Sequence, residues 1–159
     1  MAGERSFLTV TTDTNFTDDD QNIDALIIGT KWDTTTSNVI TFSFLDSFLD
    51  FSYDPGPLVG VNPLVWSGPL SELQQTAVRY ALFNFSFVSD VVFTEKNFGD
   101  PNATLRFGEA SGTFTAFGFF PNGTESGGDI LFNPNDYNNP LIGTFDYATV
   151  IHEIGHTMG

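Results

Sequence analysis

Residues 152–156 place two imidazoles and one carboxylate at the spacing of a metal-binding helix. The segment contains His152, Glu153, two spacer residues and His156. On a helix with about 100° per residue, His156 lies ~40° from His152 and Glu153 lies ~100° from it. Two imidazoles at positions i and i+4 can reach one zinc ion, and a carboxylate beside them can take a proton from zinc-activated water. The pattern predicts zinc ligands at His152 and His156 and a general base at Glu153.

The remaining residues of this helix are expected to pack against a core. The apolar side chains opposite the imidazoles are Val150, Ile151, Ile154 and Met158. Asp146 is predicted as the N-cap, and Gly159 as the residue where the helix ends in a left-handed turn. Gly155 is expected to keep the helix surface slim where packing or substrate comes close. On the five-residue pattern alone, a surface helix with two solvated histidines stays an open alternative.

Hydrophobic periodicity places this helix behind a sheet. Alternating apolar residues predict strands at 39–44, 91–95, 104–107, 114–120 and 129–132. Ser71 followed by Gln74 is a capping box, so a helix is predicted from Ser71 to the mid-80s. A loop is predicted over 52–69, and a short buried helix or turn over 23–32. This order predicts an α+β fold, an α/β sandwich. Its twisted, mostly parallel sheet would have about five strands, one antiparallel edge strand and two long flanking helices.

Length and charge limit the class of protein and its partners. The 159 residues correspond to one domain, with a polar amino-terminal arm at 1–22 and a folded part at 23–159. The formal net charge of -15 disfavours binding to nucleic acid and to anionic membranes. The sequence has no cysteine, which excludes disulfides and cysteine zinc ligands within it. No apolar run reaches transmembrane length.

Several stretches resemble the metzincins, and within them the serralysin-type secreted bacterial proteases. Residues 147–159 resemble the metzincin active-site helix. The other matching segments, which resemble the serralysin amino-terminal signature and the region before its zinc helix, are 23–26, 29–32, 40–44, 116–121 and 128–130. The resemblance covers most of residues 21–159. It implies that residues 23–159 form the upper subdomain of a metzincin catalytic domain, ending at the zinc helix.

This resemblance implies a zinc-dependent endopeptidase that is secreted and acts on protein or peptide substrates. His152 and His156 would bind Zn²⁺, and Glu153 would be the base that activates water. The edge strand, antiparallel to an extended substrate, would comprise Ala116, Phe117, Gly118 and Phe119. The alternative is a core strand whose Phe side chains only pack. An extracellular location is implied by the family, although the first six residues lack the features of a Sec signal peptide.

The sequence departs from the family pattern at its carboxyl end. Gly159 follows His156 as in HExxHxxGxxH, and the third His would fall three residues after Gly159. The family's Met-turn, metal-proximal Tyr and calcium-binding domain are expected after residue 159, so Ca²⁺ is expected only there. The departure predicts a truncated form of the protease. Such a form could associate with a partner through the surface that the missing part of the domain would otherwise cover. The alternative functions are a catalytically inactive fragment that binds zinc or peptide, and a structural domain with an accidental HExxH.

Overall fold

The structure is a computed structural model that describes residues 8–12, 29–47, 65–112 and 115–159. Its strands are β1 (Val10–Thr12), β2 (Thr30–Trp32), β3 (Val39–Phe44), β4 (Val65–Gly68), β5 (Val92–Glu95), β6 (Leu105–Ser111), β7 (Ala116–Gly118) and β8 (Asp129–Phe132). Its helices are α1 (Glu72–Val88) and α2 (Phe145–Met158).

The main sheet has six described strands. Its order is β5-β3-β6-β8-β7, and β4 additionally pairs with β6. Strands β5, β3, β6 and β8 run parallel to their neighbours, whereas β7 runs antiparallel to β8 and β4 antiparallel to β6. Strands β1 and β2 form a separate antiparallel pair. The predicted α+β class, the mostly parallel sheet and the antiparallel edge strand are confirmed, with six strands in place of about five.

The main core lies between one face of this sheet and both helices. Alternate residues of β3, β6 and β8 meet the helices in one cluster, which includes Ile40, Phe42, Phe44, Leu105, Phe107, Ile130, Phe132, Val78, Ala81, Leu82, Val150 and Ile154. Leu131 points to the opposite face, where it joins a smaller cluster with Leu45, Ala110 and Trp66. Both helices therefore cover the same face, and the sheet fixes the direction in which each one points.

Helix α1 begins where its sequence signature predicts. The Ser71 hydroxyl accepts a hydrogen bond from the Gln74 amide, and the Gln74 side-chain oxygen accepts one from the Ser71 amide at 2.7 Å. This capping box satisfies two amides that the first helical turn leaves without partners. The Gln74 side-chain nitrogen also donates to Glu109 and to the Tyr137 carbonyl, both at 2.8 Å. The cap thus ties α1 to β6 and to the loop before α2.

Three local predictions were wrong. Strand β4 lies within the predicted loop 52–69, and β2 lies within the predicted helix or turn 23–32. Each strand is created by pairing with a distant segment, which local composition does not report. The N-cap of α2 is Thr144, whose hydroxyl accepts from the Tyr147 amide at 3.3 Å, whereas Asp146 lies in the first turn. Both residues are good N-caps, so propensity alone cannot separate them.

Other predicted segments are confirmed with changed bounds or fall outside the described residues. Strand β8 has the predicted bounds, while β6 continues to Ser111 and β7 is shorter than predicted. Residues 23–28, 48–64 and 113–114 lie outside the described part. The predicted arm at 1–22 contains β1, and the division of the chain at residue 22 stays a prediction.

Candidate metal centre on helix α2

The two histidines of α2 point their ε nitrogens at one another. The Nε2 atoms of His152 and His156 are 2.9 Å apart, and the ring centroids are 4.4 Å apart. A tetrahedral zinc ion with Zn–N bonds of ~2.0–2.1 Å would hold two imidazole nitrogens about 3.3 Å apart. The pair therefore fits as two ligands of one zinc ion after a small adjustment. In the part of the chain that the structure describes, no cluster of three or more His, Cys, Asp or Glu side chains is arranged to hold a metal.

Glu153 lies beneath the sheet edge and not on the exposed face with the imidazoles. Its side chain is only 6% exposed, and its carboxylate accepts a hydrogen bond from the Gly118 amide of β7. Burial raises the pKa of Glu153, while the charge of His152 and the Gly118 hydrogen bond oppose that rise. Burial, and then repulsion from His152, lowers the pKa of His156, which favours the neutral imidazole that metals bind.

The buried arc of α2 is rotated from the one that the apolar pattern predicts. Ile151 was expected to face the core but is 37% exposed. The arc instead takes in a polar stripe of one residue per turn, namely Thr149, Glu153 and Thr157. The predicted burial of Val150 and Ile154 is confirmed, whereas the placement of Glu153 on the exposed face was wrong, because the pattern assigned a charged residue to solvent. Within the fold the residues of this stripe find polar partners, so burying them carries little penalty.

Hydrogen bonds satisfy the two threonines of this stripe. Tyr137 donates its hydroxyl to Thr149 at 3.3 Å, and Thr149 donates to the Phe145 carbonyl at 3.2 Å. Thr157 donates to the Ile154 carbonyl at 2.8 Å. Sequence reasoning missed Tyr137 and both threonines. The spacing of Thr149, Glu153 and Thr157 at i, i+4 and i+8 was the available signal.

Strand β7 packs directly onto the turn of α2 that carries Glu153. A Cβ placed at Gly118 would lie 2.8 Å from the Glu153 carbonyl oxygen and 3.3 Å from the Thr157 methyl group. These distances leave no room for a side chain. Glycine at this position therefore allows the close approach that brings the β7 backbone within reach of the Glu153 carboxylate.

The predicted substrate strand β7 lies at the edge of the sheet, and its backbone groups point alternately toward β8 and away from it. The Thr115 carbonyl accepts from Asn133 at 2.8 Å, and the Phe119 amide donates to the Asp129 carbonyl at 2.9 Å, both toward β8. Backbone groups alternate in an antiparallel ladder, so those of Ala116 and Gly118 point away from β8. No described strand pairs on that side.

The aromatic residues of this region serve packing contacts. The Phe117 and Phe119 rings lie edge to face, with centroids 4.8 Å apart. Phe120, just after β7, lies edge to face with the His156 imidazole at 4.9 Å. Sequence reasoning did not identify Phe120 as a neighbour of the candidate metal centre. Its position covers one side of the His156 ring.

A buried ion pair anchors the loop that carries Phe120. Arg106 on β6 makes two hydrogen bonds of 2.6 Å to the Asp129 carboxylate at the start of β8. Arg106 also donates to the Glu125 carbonyl at 3.0 Å, within the loop between β7 and β8. Such planar two-point pairing fixes the loop against the sheet.

A cavity opens beside the candidate metal centre. Its volume is about 360 Å³, and it is lined by Thr115, Tyr137, Phe145, Ala148, Thr149, His152 and Glu153. It lies between the first turns of α2 and the start of β7. A group bound there would lie within reach of the Glu153 side chain.

Comparison with known proteins finds serralysins among the relatives of this chain. No protein-family model matches the chain. Serralysin G of Dickeya chrysanthemi is 35% identical over 133 residues, which cover 77% of this chain and 26% of that protein. Serralysin of Proteus mirabilis is 32% identical over 107 residues, which cover 56% of this chain and 22% of that protein.

The chain spans about a quarter of the length of these curated relatives. Among the described residues, neither α1 nor α2 is long and apolar enough to cross a membrane. The resemblance drawn from the motifs is confirmed by the aligned relatives. The chain is related to the serralysin-type metalloproteases.

Proposed function

We propose that this chain supplies part of the active site of a secreted zinc-dependent endopeptidase. One observation carries the proposal: the buried carboxylate of Glu153 lies beside two imidazoles whose Nε2 atoms are 2.9 Å apart, beneath an edge strand. The serralysin relatives support the reaction class and an extracellular location. Protein or peptide chains would be the substrates.

The residues of α2 would divide the chemistry between binding and proton transfer. His152 and His156 would hold zinc, with further ligands supplied from outside these 159 residues. When bound, zinc supplies Lewis-acid chemistry, polarising a carbonyl group and making water more acidic. Glu153 would accept a proton at its carboxylate and pass it to the leaving amine. The Gly118 amide would hold that carboxylate in place.

Strand β7 would bind an extended substrate through its backbone. The outward groups of Ala116 and the outward carbonyl of Gly118 are available for pairing, whereas the Gly118 amide donates to Glu153. The groups of Phe119 and Thr115 are directed toward β8. Backbone pairing tolerates many side chains, so broad specificity is expected. The cavity beside Glu153 would take one substrate side chain.

Zinc titration of the 159-residue chain tests the metal ligands. His152→Ala and His156→Ala should each weaken zinc binding at least ~10-fold in calorimetry, since each removes one ligand. Glu72→Gln, an exposed change on α1, is the matched control and should bind zinc as the unaltered chain does. Unchanged zinc affinity in both histidine variants would contradict the proposal.

The base is tested in a longer protein that contains this chain and cleaves casein. Glu153→Gln should lower kcat by about 10²–10⁴-fold while zinc content stays the same, because the substitution removes a proton acceptor and no ligand. Glu72→Gln again serves as the control. Full activity of the Glu153 variant would refute its role as the base.

A further inference from the structure

The last turn of α2 is held by a residue far away in sequence. The Trp32 indole nitrogen donates a hydrogen bond of 2.7 Å to the Thr157 carbonyl, across 125 positions of the chain. The final carbonyls of a helix have no partner within the helix. Thr157 is fully buried, so its carbonyl needs a partner from elsewhere in the fold. Trp32 supplies it.

A second contact joins β2 to the same end of α2. Gly159 caps the helix with φ +103°, a conformation that favours glycine. A Cβ at Gly159 would overlap the Thr30 carbonyl oxygen and lie 2.8 Å from the Lys31 Cα. The backbone after α2 therefore lies directly on the backbone of β2. Two adjacent contacts, one polar and one steric, fix the end of the helix.

The segment that makes these contacts is itself anchored. Strand β2 pairs with β1, and Leu8 and Val10 pack against the main core together with the buried Trp32. The Trp32 ring also lies close to Gly128, where a Cβ would be 3.1 Å from it. The indole is thus confined between the loop before β8 and the last turn of α2.

His156 directly precedes the carbonyl that Trp32 holds. His152 lies a full turn earlier and is fixed by the helix interior, whereas His156 lies in the turn that frays first when its carbonyls lose their partners. The distance between the two Nε2 atoms therefore depends on the order of this last turn. A loose last turn would leave one zinc ligand mobile and the other fixed.

We propose that Trp32 is a positioning residue for the metal centre, acting through its hydrogen bond to the Thr157 carbonyl. The β1–β2 pair would act as a clamp that keeps His156 in register with His152. This inference rests on the proposed zinc site for its effect on metal binding, but the contacts of Trp32 and Gly159 with the end of α2 are present in the fold whether or not that site binds zinc. Its two consequences can be measured separately.

The experiment replaces Trp32 by Phe, which keeps an aromatic ring and removes the N–H donor. Zinc affinity by calorimetry should fall about tenfold, the size typical of losing a residue that orients a metal ligand. In the metal-free chain, amide hydrogen exchange at residues 155–158 should accelerate about tenfold, as expected for one lost hydrogen bond. Exchange in α1 should not change. With Co²⁺ as the probe, the absorption spectrum should shift as His156 moves.

Trp66→Phe is the matched control, because Trp66 packs in the smaller cluster on the opposite face of the sheet. It should alter neither zinc affinity nor exchange in α2. If Trp32→Phe fails to fold, benzothienylalanine at position 32 keeps the shape of the indole and removes only the donor.

The outcomes separate the two proposals. Unchanged zinc affinity and unchanged exchange at residues 155–158 in the Trp32 variants would overturn the clamp, even where the unaltered chain binds zinc. Absence of zinc binding by the unaltered chain would instead count against the proposed function. Faster exchange at residues 155–158 in the Trp32 variants would then still support the clamp.

Discussion

The two helices pack side by side on one face of the sheet, yet they are held there by different interactions. Helix α1 buries Gln74 and Gln75 near its start, and its other buried residues are all apolar. They include Ala77, Val78 and Leu82. Helix α2 buries Val150 and Ile154, but also the polar stripe Thr149, Glu153 and Thr157. The stripe is fixed by Tyr137, by the close approach of Gly118 and by Trp32.

The solvent-exposed faces of the two helices carry apolar side chains that the sequence pattern would place in the core. Near its end, α1 leaves Phe83 60% exposed and Phe87 83% exposed. On α2, a carboxylate is buried while Ile151 is partly exposed. Polarity along each sequence is therefore a poor guide to orientation in both helices. Beyond its first turn, α1 is positioned by apolar burial, whereas directional polar contacts along the whole of α2 set its rotation and hence the direction of its imidazoles.

The largest expected effect comes from the apolar contacts of α1. Leu82→Ala should lower the free energy of unfolding by about 2–5 kcal/mol, because it leaves a cavity in the main core. Urea denaturation measures this loss. Zinc affinity of the folded variant should be unchanged, since α1 does not orient the imidazoles. The exposed neighbour Phe83→Ala is the control and should shift stability by less than ~0.5 kcal/mol. Reduced zinc affinity in the folded Leu82 variant would break the comparison.

The close approach of β7 to α2 gives the next effect. Gly118→Ala should cost about 1–3 kcal/mol in urea denaturation, because the added methyl group meets the Glu153 carbonyl. It should also weaken zinc binding, unlike the Leu82 change, since the turn between the two histidines must shift. Stability within ~0.5 kcal/mol of the unaltered chain would mean that β7 is not seated on α2 as described.

The cap of α1 provides a smaller, purely structural effect. Ser71→Ala should lower the free energy of unfolding by about 1 kcal/mol, because it removes the side-chain partner of the Gln74 amide. Ser86→Ala, within the same helix, is the matched control and should be neutral or slightly stabilising. An equal loss in both variants would show that the cap contributes nothing specific.

The smallest expected effect is a stabilisation, and it tests the part of the α2 surface around Gly155. A Cβ at Gly155 meets no described atom within 4 Å, contrary to the expectation that packing comes close there. Gly155→Ala should therefore raise the free energy of unfolding by about 0.5–1 kcal/mol through helix propensity. Thermal denaturation of this chain would detect it. Destabilisation would reveal a surface packed against Gly155 and would restore the original expectation.

Local features of the fold could be predicted from the sequence. The capping box at Ser71, the bounds of β8 and the strand β3 depend on neighbouring residues, so their patterns reported them correctly. The choice of Thr144 over Asp146 as N-cap was not predictable, because both residues suit the position. Strand β4 exists through its pairing with β6, which no short window of sequence contains.

The candidate site divides in the same way. The helical period of 3.6 residues places His152 and His156 one turn apart, so the sequence by itself determined that two imidazoles share one side of a helix and that a carboxylate lies next to them. Only the tertiary structure decided how that helix is rotated. Burial of Glu153 under Gly118, the Phe120 contact with His156 and the Trp32 bond to Thr157 join residues from separate parts of the chain. Such contacts arise when the sheet and helices pack, and packing is a property of the whole fold.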